Sequence, residues 1–145
     1  MCVLYTIGYE GRSIDNFIEV LRNRNIKRII DVRELPISRK KGFSKTSLQS
    51  ALCKNKIDYI HIRELGSPKP IRDSLHENWD YDTFFSSYKK CLSSELDSVN
   101  HAIEIAEMGD GCLLCFESDS NKCHRKPLSI LMKRYSQEID RIENL

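Results

Sequence analysis

The sequence predicts an α/β fold: a single three-layer domain with a mostly parallel sheet of four to five strands and flanking helices. Three observations lead there. Short β-branched or apolar runs recur at Val3–Gly8, Arg28–Val32, Asp58–Ile62 and Cys112–Phe116. Segments with apolar residues at helical spacing lie between them. No repeat, low-complexity tract or linker divides residues 1–145, a length that suits one domain with its own core. Strands alternating with helices call for right-handed crossovers, which make neighbouring strands parallel and cover both faces.

Val3–Gly8 reads as the first strand, and Gly8-Tyr9-Glu10-Gly11-Arg12 as a tight turn. Ser13 suits a helix N-cap, Asp15 favours the first turn, and Ile14, Phe17, Ile18 and Leu21 share one face. Arg28–Val32 is short and β-branched, as a buried parallel strand should be. A basic loop runs from Arg33 to Lys45. Ser44 then caps a helix over Lys45–Lys54, with Leu48 and Leu52 inward. Asp58–Ile62 is the third strand, and Arg63–Asp80, with Gly66, Pro68 and Pro70, reads as a long irregular segment. Asp80 or Asp82 caps a helix whose apolar side is Phe84, Phe85, Tyr88 and Leu92. Glu95–Met108 follows, with Leu96, Val99, Ile103 and Ala106 inward. Cys112–Phe116 is the fourth strand, Cys123–Tyr135 the last helix, and Glu138–Ile142 a short terminal strand.

Composition narrows the function classes. With 40% hydrophobic and 30% charged residues and a formal net charge of +2, the chain lacks a strong basic field. Any polyanion would have to bind a local patch. The amino terminus enters a strand directly, so no signal peptide is expected. No apolar run approaches the ~20 residues that span a bilayer. Six cysteines without an export signal suit reduced thiols, and a cytoplasmic location with no membrane partner is expected.

In a parallel sheet every post-strand loop opens on one edge, where open α/β sheets bind ligands. That edge gathers Tyr9–Arg12, Arg33–Ser44, Arg63–Lys69 and Glu117–Arg125. The last of these, with Cys115 on the strand before it, carries the candidate catalytic groups Cys115, Glu117, Cys123 and His124. Cys123 precedes a helix and neighbours Arg125, a setting that favours thiolate and is expected to leave the thiol partly accessible. Cys112 and Cys115 form a CxxC, but residues three apart on a strand face opposite ways, unlike a zinc knuckle or a thioredoxin-like pair. Cys115, Cys123 and His124 can still converge as nucleophile and base, or as metal ligands. The plainer alternative makes Cys115 a small buried hydrophobe.

Candidate substrate-binding residues are Tyr9, Glu10, Arg12, Asp31, Arg33, Ser38, Arg39, Phe43, Ser44 and Arg125. Arginine offers a planar fork to phosphate or carboxylate. Asp31, at a strand end, needs a partner, either Arg33 or Arg125; a structural ion pair is the alternative role. Phe43 either stacks on a base or packs beneath its loop. His61 reads as a satisfied core or rim histidine.

Several stretches together resemble a known family. They are Thr6–Ser13 (TIGYEGRS), Asp31-Val32-Arg33, Pro36–Arg39, Gly42-Phe43-Ser44, Tyr59-Ile60-His61, Leu65-Gly66, Leu114–Glu117 and Cys123-His124-Arg125. In this order they resemble the bacterial and archaeal family called domain of unknown function 488. The resemblance implies a small α/β domain and a shared site, and it supplies no substrate.

The residues themselves point to an enzyme acting on a phosphate-bearing substrate, a nucleotide or nucleic acid. Arg12, Arg33, Arg39 and Arg125 would bind anionic groups; Cys123 or Cys115 would attack, with His124 or Glu117 moving a proton. Two alternatives stand beside it: a non-catalytic nucleotide or nucleic-acid binding module, with Tyr9 or Phe43 exposed, and a metal-binding protein using Cys115, Cys123 and His124. The sequence names no cofactor and no oligomeric state.

Overall fold

The computed structural model describes residues 1–145. Its strands are β1 (Cys2–Gly8), β2 (Arg28–Asp31), β3 (Asp58–His61), β4 (Gly111–Cys115) and β5 (Ile139–Asn144). All pair in parallel, in the order β3-β2-β4-β1-β5. β4 lies in the middle and every residue of it is buried, which explains its continuous apolar sequence.

Six helices cover the sheet: α1 (Ile14–Asn23), α2 (Lys45–Lys54), α3 (Lys69–Asn78), α4 (Tyr81–Ser93), α5 (Leu96–Glu107) and α6 (Arg125–Tyr135). The apolar stripes of α1 and α2 pack on one face, where Phe17, Leu21, Leu48 and Leu52 meet Ile7, Ile29 and Leu114. On the other face α4, α5 and α6 bring Tyr88, Leu92, Val99, Ala102, Leu128 and Met132 onto Leu4, Ile30 and Leu113. This is a three-layer α/β fold. Two caps follow sequence chemistry, the Ser13 side chain accepting from the Asn16 amide and that of Asp80 from the Thr83 amide, whereas Ser44 occupies the cap position of α2 without a side-chain cap bond because its hydroxyl bonds to Ser38.

Four elements depart from the sequence reading. Arg63–Asp80 is not irregular; a single 3-10 turn at Arg63–Leu65 leads into α3. Pro70 lies in the first turn of that helix, where a missing N–H costs nothing, and Ile71 and Leu75 are one turn apart. The last helix begins at Arg125, because Cys123 is extended and His124 occupies the cap position. Leu96, expected inward, is exposed at the start of α5, where few neighbours reach it. The terminal strand runs over Ile139–Asn144 and completes the edge beside β1.

The strand order creates a crevice. α1 and α2, which follow β1 and β2, lie on one face; the helices that follow β3 and β4 lie on the other. β4 therefore stands between two strands whose loops leave to the opposite side. Ligands collect at the carboxyl ends of such switch points. Two glycines let the loops close over this edge. A Cβ on Gly8 would fall 1.7 Å from the Glu117 carbonyl oxygen, and one on Gly66 would fall 2.2 Å from the Glu34 nitrogen.

Candidate functional site at the carboxyl edge

Alternation along the strands sorts the polar residues into two networks, one per face. Towards α1 and α2, the fully buried Asp31 carboxylate accepts from Arg33 Nε at 2.9 Å, Arg33 Nη2 at 2.7 Å, the Arg33 amide at 3.1 Å and the Tyr59 hydroxyl. Arg33 Nη1 also donates to the Phe43 carbonyl at 2.7 Å. Burial opposes the Arg33 charge, but Asp31 more than offsets it and holds the guanidinium's pKa above its ordinary value. Burial and the Asp31 charge likewise raise Tyr59. Of the two partners expected for Asp31, the structure has Arg33.

The neighbouring candidates are also occupied. Phe43 is fully buried, stacked on the buried Tyr9 ring at 4.4 Å between centroids and meeting Phe17 edge-on. Of its two expected roles it has the one beneath the loop, and neither aromatic offers a free face to a base. Ser44 Oγ donates to the Ser38 carbonyl and accepts from the Ser38 amide, clasping the basic loop. Glu10 accepts from the Ser118 amide and hydroxyl, tying the first loop to the fourth. Arg12 donates to the Gly8 carbonyl and to Asn16. Arg39 is exposed and forms no hydrogen bond or ion pair. His61 Nε2 bonds to the Arg33 carbonyl, the satisfied rim role expected of it.

The second network faces α6 and contains the sulfurs. Cys115 ends β4, and Cys123 lies eight residues on, beyond a short 3-10 turn. Their sulfurs touch and form a disulfide, whereas reduced thiols were expected. The Cα atoms are 7.6 Å apart, beyond the ~4.4–6.8 Å that disulfides usually span. Arg125 reaches back under the same loop. Its side chain is fully buried; Nε donates to Thr6 Oγ1 at 3.2 Å, Nη2 to the Ser118 carbonyl at 3.2 Å, and Nη1 to the Glu117 carbonyl and to Cys115 Sγ at 3.0 Å. This guanidinium forms no ion pair. Burial lowers its pKa, the Glu117 charge opposes that, and the sulfur it faces belongs to the disulfide.

His124 completes the cluster. Its Nε2 lies 2.6 Å from the Val32 carbonyl, which can only accept, so the Nε2 proton donates there and Nδ1 carries the lone pair. Nδ1 faces Cys123 Sγ at 3.7 Å. Burial pushes the His124 pKa down to about 4, so the ring is neutral at physiological pH. The Arg125 amide, at the start of α6, lies 3.5 Å from Cys123 Sγ. The donor atoms of Cys115, Cys123 and His124 all lie within 4.8 Å of one another. Cys112 points the other way from β4, into the α1–α2 core, and burial raises its thiol pKa.

Both networks border one cavity of about 360 Å3. Arg33, Cys115, Glu117, Cys123 and His124 line it, so the second- and fourth-strand loops meet at one cavity. Burial raises the half-buried Glu117 carboxyl. Cys123, expected to be partly accessible, is 1% exposed because the loop folds over it. Larger depressions lie between α1 and α2 and between α4 and α6, with no cysteine or histidine, and beside β3, where the cysteine is the exposed Cys53.

Sequence reasoning missed part of the wall. Arg72, Leu75 and His76 of α3 line the cavity, and Arg72 pairs with Glu34 at 3.1 Å. Lys122 lines it too. The pairing of Ile71 with Leu75 behind two prolines was the available signal for α3. Nothing in the sequence announces that Thr6 receives Arg125.

An all-parallel α/β sheet with a cysteine–histidine–arginine cluster at its carboxyl edge defines the class of protein. The sequence model of the family described as Domain of unknown function DUF488 matches residues 13–132, and the chain belongs to that family. No curated protein and no solved structure matches it. No helix is long and apolar enough to cross a membrane.

Proposed function

We propose that this protein is a small α/β enzyme whose chemistry is centred on Cys115, Cys123 and His124, with Arg125 holding Cys115 and Glu117 moving a proton. One observation carries the reading: a buried guanidinium without a carboxylate partner lies 3.0 Å from Cys115 Sγ, beside a neutral imidazole. A buried cation favours the charged form of the group facing it, so this contact is the one that would activate the Cys115 sulfur once the disulfide is reduced. Glu117, held protonated by burial to higher pH than usual, suits proton donation inside the cavity.

The cavity suits a small molecule. Half of its sixteen lining residues are hydrophobic, and Lys122 adds a cation to the wall, whereas Arg72 and Arg33 are paired with Glu34 and Asp31. The substrate class is an anionic metabolite with an apolar part, and phosphate-bearing molecules are the first probes. The four-arginine grip is withdrawn from this reading, since Arg33, Arg125 and Arg12 already serve the fold and Arg39 lies outside the cavity lining. A nucleic-acid groove loses support because Tyr9 and Phe43 are buried.

The test is a thermal-shift screen of nucleotides and sugar phosphates against the reduced protein, followed by turnover assays on every hit. A native-state ligand raises Tm by mass action. A compound that is consumed by the wild type and untouched by Cys115→Ser supports an enzyme. A compound that binds equally well to Cys115→Ser and is never consumed makes the protein a binding module.

A further inference from the structure

We propose that, when reduced, Cys115, Cys123 and His124 ligate one thiophilic divalent ion of the zinc type, leaving the fourth position open to the cavity. The inference rests on the reading that this cluster is the working centre, and it assigns the sulfurs as ligands rather than as attacking groups.

Four features of the geometry point to a metal. The three donor atoms lie within 4.8 Å of one another, the two sulfurs as a bonded pair that reduction frees to separate around an ion while His124 Nδ1 stays beside them. Their chemistry, two sulfurs and one imidazole nitrogen, selects zinc and its soft neighbours over magnesium or calcium. The backbone separation fits as well. Zinc binds each thiolate at about 2.3 Å, which puts two tetrahedral sulfurs about 3.8 Å apart. The 7.6 Å between the Cα atoms is too wide for an ordinary disulfide and leaves room for such a bridge. The outer contacts are those that orient ligands. His124 gives its other ring N–H to the Val32 carbonyl at 2.6 Å, which turns Nδ1 inward. The Arg125 side chain donates to the Cys115 sulfur, while the Arg125 amide lies 3.5 Å from the Cys123 sulfur.

Three protein ligands with a vacant position facing a cavity is the arrangement of catalytic rather than structural zinc. The cavity beside the cluster is where a water or substrate oxygen would complete the tetrahedron. Binding involves no electron transfer. The dithiol takes up the ion, and each sulfur still protonated releases its proton to solvent; His124 binds through its existing lone pair. Formation of the Cys115–Cys123 disulfide removes two ligands, so the site exists only in the reduced chain.

The experiment uses the full chain, reduced with a phosphine, stripped with a chelator and then titrated with zinc or cobalt(II). One ion per chain is expected, with the sulfur-to-cobalt charge-transfer band and intense d–d bands of tetrahedral cobalt. Cys115→Ser, Cys123→Ser and His124→Ala should lose stoichiometric binding, whereas Cys53→Ser and Cys91→Ser should keep it. If a ligand variant fails to fold, the wild type still decides. Native mass spectrometry of the reduced wild type must count one zinc per chain, and its cobalt form must show the sulfur-to-cobalt charge-transfer band. A folded, reduced wild type that takes up no zinc, or an ion retained by Cys115→Ser, overturns the inference. The two proposals fail separately: turnover without metal leaves an enzyme with a thiol nucleophile, and stoichiometric metal without turnover leaves a metal protein that is not the proposed enzyme.

Discussion

Replacing Asp31 by alanine removes one half of a buried ion pair and strands the other. The Asp31 side chain is fully buried and that of Arg33 is 7% exposed. Three hydrogen bonds from Arg33 and one from Tyr59 lose their acceptor at once. An exposed pair would cost ~0–1 kcal/mol. Breaking a buried pair costs about 3–5 kcal/mol, because a desolvated charge remains. At roughly 3 °C per kcal/mol for a chain of this length, the melting temperature should fall by about 9–15 °C. Thermal melts of the reduced wild type, Asp31→Ala and the double variant Asp31→Leu/Arg33→Met measure the shift, and urea melts measure the free energy. The double variant should recover part of the loss, since no charge is left buried. Recovery stays incomplete because the Phe43 carbonyl loses its donor, at about 1–3 kcal/mol. A loss below ~1 kcal/mol for Asp31→Ala, or a double variant less stable than the single, would refute the structural role given to the pair.

Other expectations follow from single contacts. Gly8→Ala forces a Cβ into the Glu117 carbonyl, so the fourth loop must move; the cost should reach or exceed the ~1–3 kcal/mol of an overpacked core position, read by thermal melting. Phe43→Ala should lose about 3–5 kcal/mol, as a fully buried phenylalanine does, and an unchanged melt would return the ring to the surface. Arg39→Ala should change stability by less than ~0.5 kcal/mol, since the side chain is exposed and forms no hydrogen bond or ion pair. With iodoacetamide at neutral pH the exposed Cys53 should label in the native state and Cys112 only on unfolding; early labelling of Cys112 would contradict its burial.

The candidate site was partly legible. Cys115, Cys123, His124 and Arg125 stand out because they cluster after an apolar strand, and topology then places them on the edge that Arg33 shares. Their individual geometry was not legible. Whether Arg125 pairs with Asp31 or with Cys115 depends on which face of the sheet each occupies. Strand alternation sends Asp31 towards α1, while α6 carries Arg125 on the far side. The structural use of the arginines was hidden for a related reason. A sequence shows charge but not which carbonyls and carboxylates consume it, and three of the four arginines hold loops together.

Local periodicity and turn chemistry by themselves determined the strand–helix alternation, the caps at Ser13 and Asp80, the buried character of β4 and hence the parallel three-layer fold. These signals rest on residues within a few positions of one another. The strand order, the helix α3 behind its prolines, the burial of Cys123 and the meeting of its sulfur with Cys115 and His124 came only with the tertiary structure. Such features depend on contacts between segments far apart in the chain. Thr6 and Arg125, separated by 119 residues, meet only because β1 lies beside β4 and α6 packs over both.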